Sequence, residues 1–288
     1  MYEHNQLFAI GLKKIRFAGG LDMRRLVFLL VGIVALTIVS PSYGDVTLYD
    51  SSVSSQTPDD QDLYYFAFDP VFGPIQATQS WGAGLTTLDT TGDISEAAGY
   101  YNYDALLSQP AKVPIALDRT GDGYTLRFFA QVVSEDHSGS SDRAGFSVIA
   151  LSDDLWGIEL GFWDDSIWAQ DDEPAAFVRD ESTSFDTTSN VVQYDLAIHN
   201  TGYTLYADGV PLLSDLLRNY AAQVPNDLAH HAYHQPDFVF LGDNTSSASA
   251  ELLLGDVVVL DAAIPEPASL SLLAAGGLLA LCRRWARR

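Results

Sequence analysis

The residues best suited to chemistry in this 288-residue chain are scattered, and none of them completes a catalytic or metal-binding set. His230, His231 and His234 fall close together, and His230 and His234 would share one face of a helix. A zinc protease needs Glu directly after the first His as its base, but His231 stands there, so zinc and a plain polar loop both remain open. Asp118-Arg119-Thr120-Gly121-Asp122-Gly123 offers oxygens at positions 1, 3 and 5 of a loop with Gly at 6. Position 12, where a calcium loop of this kind needs Glu, is Phe129, and an Asp/Gly-rich turn accounts for the same residues. Asp153-Asp154, Asp164-Asp165 and Asp171-Asp172-Glu173 are acidic groups between apolar runs, hence on loops. Trp81, Trp156, Trp163 and Trp168 have rings that can stack on the apolar C–H face of a sugar or fill a core. Trp163 and Trp168, beside Asp164-Asp165, look least like core and are the candidate ligand-binding pair. A Gly-x-Ser-x-Gly nucleophile elbow is missing; Ser138-Gly139-Ser140 reads as a loop.

The elements that must position these residues are strands. Tyr124–Val133 opens with alternation of aromatic and branched residues, and Val192–His199 places Val, Tyr, Leu and Ile on one side. Gly145–Leu151, Trp156–Trp163, Tyr203–Ala207, Phe238–Leu241 and Glu251–Leu260 follow the same rule, with Trp156, Ile158, Leu160 and Phe162 expected on one face. Ser166–Ala169 and Ala175–Val178 are shorter candidates. Asp208-Gly209 predicts a two-residue hairpin. Ser51–Gln61 reads as a polar loop, and Tyr100–Leu117 with the segment before it should supply the first strands. The one predicted helix is Leu212–Gln223, where Leu212, Leu213, Leu216, Leu217 and Tyr220 recur at helical spacing and Pro225 follows. Turn residues at short intervals predict an all-β sandwich over residues 45–262.

The order Tyr124-Thr125-Leu126-Arg127-Phe128-Phe129, Gly157-Ile158-Glu159-Leu160-Gly161, Tyr194-Asp195-Leu196-Ala197-Ile198, Tyr203 to Gly209 and Phe240-Leu241-Gly242-Asp243 resembles the concanavalin A-like lectin/glucanase jelly roll, including laminin G-like modules. The segment Ala250–Val259 would return as a strand beside the first of these. The resemblance implies carbohydrate binding, and in related modules loop carboxylates hold calcium, for which Asp164 and Asp165 are the candidates here. The related glucanases carry Glu-x-Asp-x-x-Glu on one strand. That motif is absent: Glu159 stands alone, and Glu181 is followed by Ser182-Thr183-Ser184.

Charge narrows the partners. The terminal segments outside 45–264 hold nine of the fifteen basic residues and three of the thirty-eight acidic ones. The body therefore has 35 Asp plus Glu against 6 Lys plus Arg, a net charge of −29. Such a surface repels nucleic acid and favours solubility. Cys282 is the only cysteine, so the body forms no internal disulfide.

The two ends read as addresses. Met23-Arg24-Arg25, the apolar run Leu26–Val39 and Ser40-Pro41-Ser42-Tyr43-Gly44 form a secretory signal pattern with a cut between Gly44 and Asp45. Met23 is then the expected true start, and an uncleaved anchor is the alternative. At the other end stands Pro265-Glu266-Pro267, followed by fifteen residues, Ala268–Cys282, without a charge. As a helix they would span ~22 Å, short of the ~30 Å hydrocarbon core, and arginines relieve such a mismatch by snorkelling. Arg283, Arg284, Arg287 and Arg288 form a basic stop that favours the cytoplasmic side. A buried C-terminal core helix is the other reading.

Proline-glutamate-proline, an apolar helix and terminal arginines, in this order, resemble the PEP-CTERM sorting signal of Gram-negative bacteria. Its members are exported, held in the membrane by the helix, cut by an exosortase and often found with extracellular polysaccharide. The resulting expectation is a cell-surface or matrix protein with a non-catalytic structural or carbohydrate-binding body; the alternative is a glycan-acting hydrolase.

Overall fold

Alternation along the chain builds the structure, a computed structural model that describes residues 44–70, 73–103, 109–173, 177–227 and 230–263. Its strands are β1 (Val46–Tyr49), β2 (Tyr64–Phe68), β3 (Thr78–Gly82), β4 (Leu85–Asp89), β5 (Ala97–Tyr101), β6 (Tyr124–Asp136), β7 (Phe146–Leu151) and β8 (Gly157–Phe162). They continue with β9 (Ser166–Asp171), β10 (Val178–Ser184), β11 (Val192–His199), β12 (Gly202–Ala207), β13 (Val210–Leu216), β14 (Phe238–Asp243) and β15 (Ser249–Leu260). Eight form one antiparallel sheet in the order β13-β12-β11-β6-β15-β4-β3, with β1 also on β15; seven form a second, β10-β9-β8-β7-β14-β5-β2. The fold is an all-β sandwich.

Every second residue of β6 (Tyr124, Leu126, Phe128, Ala130, Val132) is buried between the sheets, opposite Val148, Ala150, Ile158, Leu160 and Phe162 of the other sheet. Phe128 stacks on Tyr194 at 5.2 Å and meets Phe162 edge-on at 6.0 Å. Each such large side chain contributes about 1.5–3 kcal/mol by leaving water. β15 returns beside β6 as expected. A bulge at Gly255–Asp256 resets its phase, so that Leu252 and Leu254 before it and Val257 and Val259 after it all point inward. Across the bulge its other edge changes partner, from β4 to β1. Ser51 of the β1–β2 loop donates to the Asp256 carboxylate at the bulge through its N–H (2.8 Å) and Oγ (2.6 Å).

Three local expectations are corrected. Leu212–Gln223 is not one helix: residues Val210–Leu216 are strand, and only Tyr220–Gln223 (α1) is helical. Asp208 and Gly209 both take positive φ (48° and 77°), the hairpin turn that pairs Leu205 with Leu213, and that ladder overrides the leucines' helical spacing. Trp156 precedes β8 rather than opening it. Leu155 turns at φ 71°, leaving Trp156 38% exposed with the Arg119 guanidinium 5.6 Å from its ring. The strand expected at 175–178 starts at Val178 and runs to Ser184. Ser51–Gln61 is largely loop, with a 3-10 turn at Pro58–Asp60.

The body's six basic residues all have structural partners. Lys112 pairs with Asp59, Arg119 with Asp154, Arg127 with Asp195 and Arg143 with Glu159. Arg179 lies over the Trp163 ring. Arg218 bonds Asp180 (2.9 Å) and Glu181 (2.6 Å) on β10, while Tyr203 of β12 donates to Glu181 (2.5 Å). This last cluster ties β10, at the edge of one sheet, to β12 and the segment after β13 in the other.

Candidate functional site

The candidates read from the sequence do not converge. Trp168 is fully buried and Trp163 is 8% exposed. His137 stacks on Trp163 at 4.0 Å, Arg179 covers it at 4.5 Å, and its indole N–H donates to the Arg143 carbonyl (2.9 Å). The pair packs with Ala144 into a small core, so neither ring is presented to a ligand. That corrects the expectation, and the cause is the β6–β7 loop folding over them. Asp164 and Asp165 are exposed in the β8–β9 turn, where Asp165 accepts from Ser166 Oγ (2.9 Å). Among the described residues no three His, Cys, Asp or Glu side chains gather as a metal site. His230 bonds Asp227, His234 bonds the Val224 carbonyl and His231 bonds Gln235, each apart from the others. Asp118 accepts from the N–H and Oγ1 of Thr120, the local turn alternative to a calcium loop. Gly44 and Asp45 are exposed just before β1. Residues 1–43 of the signal region lie outside the described residues, as do Pro265, Glu266, Pro267, Arg283, Arg284, Arg287 and Arg288. Among the described residues no helix is long and apolar enough to cross a membrane.

Two clusters that the motifs did not reveal are instead built by the sheets. The first covers the outer face of the seven-stranded sheet. Glu159 alternates with the core residues Ile158 and Leu160 and so points away from the core, yet it is fully buried beneath the β13–β14 connection. Tyr233 donates to its Oε2 (2.5 Å) and Asn244 to its Oε1 (3.0 Å), and Arg143 lies 3.4 Å away. Tyr220 Oη accepts from the Glu159 N–H (3.0 Å) and donates to the Gln170 carbonyl (2.8 Å). Burial pushes the Tyr220 and Tyr233 phenols well up. Asp243 is also fully buried but faces inward, like Val239 and Leu241 of its strand, and it accepts from Thr90 Oγ1 (2.8 Å) and the Thr245 N–H (3.0 Å). Burial holds its carboxyl well above the usual range against those bonds. Glu159 and Asp243 thus lie on opposite faces of one sheet, not across a cleft.

The second cluster lies on the outer face of the eight-stranded sheet. The register aligns Tyr206, Asp195, Arg127 and Val258 in one row across β12, β11, β6 and β15. The neighbouring rows bring Gln193 beside Phe129, and Gln131 beside Leu253 and Thr87. Arg127 Nε donates to Asp195 Oδ1 (2.5 Å) and Nη2 to Oδ2 (3.3 Å), while Gln193 Nε2 donates to Oδ2 (2.8 Å). Asp195 is buried among these groups; Arg127, Phe129, Gln131, Gln193 and Leu253 are partly exposed. Planar guanidinium and amide groups beside an aromatic ring suit a ligand that offers paired hydroxyls around an apolar face. The signal for this row was present as outward positions in two alternating strands, Leu126-Arg127-Phe128 and Tyr194-Asp195-Leu196, of opposite charge.

No protein-family profile and no curated protein matches the chain. Among solved structures it is similar to a carbohydrate esterase from the Shiga toxin-encoding bacteriophage phi24B, with TM-score 0.45 and 15% identity over 75% of this chain and 98% of that one. It is also similar to domain 4 of AbnA, a GH43 extracellular arabinanase from Geobacillus stearothermophilus in complex with arabinotriose. There the TM-score is 0.41 and the identity 11%, over 78% and 94% of the two chains. The binding domain of Paraclostridial Mosquitocidal Protein 1 follows, with TM-score 0.40 and 9% identity over 78% and 50%. The likeness is loose, and none of these proteins' activities carries over to this chain.

Proposed function

We propose that this chain is an exported matrix protein whose acidic sandwich binds carbohydrate and does no catalysis. The observation that carries the reading is the half-exposed patch on the outer face of the eight-stranded sheet, where Gln193 pairs with Phe129 and Arg127 and Gln131 lie in the rows on either side. The amides donate and accept and the guanidinium donates in the plane of a sugar's hydroxyls, and the phenyl ring meets its C–H face. The opposite orientations of the buried Glu159 and Asp243 favour a binding role over hydrolysis, which needs two carboxyls about 5–10 Å apart around a sugar. The sandwich is assigned to the concanavalin A-like jelly-roll type.

Export rests on the signal pattern ending at Gly44. Sorting rests on Pro265-Glu266-Pro267, the apolar helix and the four arginines, with an exosortase as processing partner and the helix as transient membrane anchor. Intact mass of the protein from cell envelope and medium tests this part. Loss of residues before Asp45 and a cut near Pro265–Pro267 are expected; a product retaining Arg288 refutes sorting. A glycan array probed with the full chain and with Gln193→Ala tests the other part. Equal binding by both proteins, or binding by neither, defeats the assigned face.

A further inference from the structure

The outer face of the eight-stranded sheet continues past the patch around Phe129, and its next rows carry charge. Leu88 of β4 and Leu252 and Leu254 of β15 are buried in the core, so alternation puts Leu85, Thr87 and Asp89 of β4 and Glu251 and Leu253 of β15 on the outer face. All five are partly exposed. The register sets Leu253 between Gln131 of β6 and Thr87 of β4, and one row further it sets Glu251 directly opposite Asp89. Two carboxylates therefore face each other beside the row of Gln131 and Leu253. At the β15 bulge an added Cβ on Gly255 would stand 2.9 Å from Phe129 Cβ and 3.3 Å from Leu85 Cδ2, so these two side chains flank a bare backbone. Phe129, Leu85 and Leu253 thus form an apolar strip across β6, β15 and β4, two strand spacings or roughly 9–10 Å in extent. Of the body's six basic residues, Arg127 is the only one in a strand of this sheet, and its Nε and Nη2 are taken by Asp195. The other five pair elsewhere: Lys112 with Asp59, Arg119 with Asp154, Arg143 with Glu159, Arg218 with Asp180 and Glu181, and Arg179 with the Trp163 ring.

We infer that this face selects a neutral glycan chain and rejects an anionic one, such as a uronate or sulfated polysaccharide. The inference rests on the reading of the face as a glycan site and names the class of glycan. Asp195 matches the charge of Arg127, so the groups that remain to meet a ligand are the amides of Gln193 and Gln131, which suit hydroxyls. A chain laid along the apolar strip passes beside Glu251 and Asp89. Carboxylate or sulfate groups on it would meet like charge there, with the body's net charge of −29 behind it, and like-charge contact costs affinity. The strip runs over three strands, so it suits several linked sugars better than a single one. Specificity on this face therefore comes as much from what it repels as from what it holds.

The test is calorimetry of the full chain, with a chelator present, against neutral oligosaccharides (glucan, mannan, xylan and arabinan) and uronate oligosaccharides of equal length. At least one neutral chain should bind and be weakened by Gln193→Ala, and every uronate chain should bind at least about tenfold more weakly. Added salt should narrow that gap by screening the repulsion. The double variant Asp89→Asn with Glu251→Gln should narrow it too, by strengthening uronate binding several-fold. Uronate binding as tight as that of the best neutral chain, with Gln193→Ala still weakening both, overturns the selectivity and leaves the glycan face standing. So does a gap that ignores both salt and the double variant. Binding of no chain, or neutral binding that Gln193→Ala does not touch, removes the glycan face and the inference with it.

Discussion

The two outer faces of the sandwich carry polar side chains in the same geometry, yet they meet different surroundings. On the seven-stranded sheet Glu159, Gln170 and Arg143 are sealed beneath the β13–β14 connection and the loop before β7, where Tyr233 and Asn244 donate to Glu159, Gln170 donates to the Asp142 carbonyl and Arg143 donates to Asn244. On the eight-stranded sheet Arg127, Gln131 and Gln193 are partly exposed, and only Asp195 is buried among them. A sealed polar group must be matched within the protein or it costs stability, so that face is committed to holding the fold together. A half-exposed polar group exchanges water for another partner at little cost. The contrast assigns stability to one face and leaves the other as the proposed recognition face.

Mutations should divide along that line. Glu159→Ala leaves the Arg143 guanidinium buried without its counter-charge and takes an acceptor from Tyr233 and Asn244. A loss of about 3–5 kcal/mol in urea unfolding is expected; a loss below 1 kcal/mol would mean the covered face is not sealed. Gly161→Ala drives a methyl into the Trp168 ring and should cost about 1–3 kcal/mol, with a change in tryptophan fluorescence.

The pH dependence probes the same sheet from its inner side. Burial raises the Asp243 carboxyl in the folded protein, so its contribution is fully present below the unfolded value near ~3.9 and is lost as pH rises through the folded one. Stability should therefore fall as pH climbs from 4 towards neutrality. Asp243→Asn should flatten that slope, read from urea midpoints across the range. An unchanged slope would locate the titration elsewhere. The smallest effect on stability belongs to the other face. Gln193→Ala should move stability by no more than about 0.5 kcal/mol, yet weaken glycan binding about tenfold by calorimetry. A large stability loss there would erase the contrast between the faces.

Much of the sandwich was legible because its long strands alternate cleanly. Tyr124–Val133 and Val192–His199 announced their inner faces, and Asp208-Gly209 announced its hairpin. The leucines of Leu212–Gln223 misled because their spacing fits a helix, while the pairing that decides the matter comes from β12. Trp163 and Trp168 looked available because the loop that covers them is polar and carries no periodicity. Arg127 and Asp195 are 68 residues apart and meet only through the β6–β11 register. Glu159 stood alone in sequence because Tyr233, Asn244 and Arg143 arrive from three other segments.

β15 also sets how the body bears force. It is hydrogen-bonded on both edges, and its last residues lie beside the first of β1, with Val259 opposite Val46. A load carried from Arg127 to the chain at Ala263 strains the pairs Arg127–Val258, Leu126–Val259 and Thr125–Leu260 together. A load that draws Gly44 away from Ala263 parts β1 from β15 one pair at a time. The domain is expected to yield more readily when Gly44 and Ala263 are drawn apart than when it is pulled by its outer face.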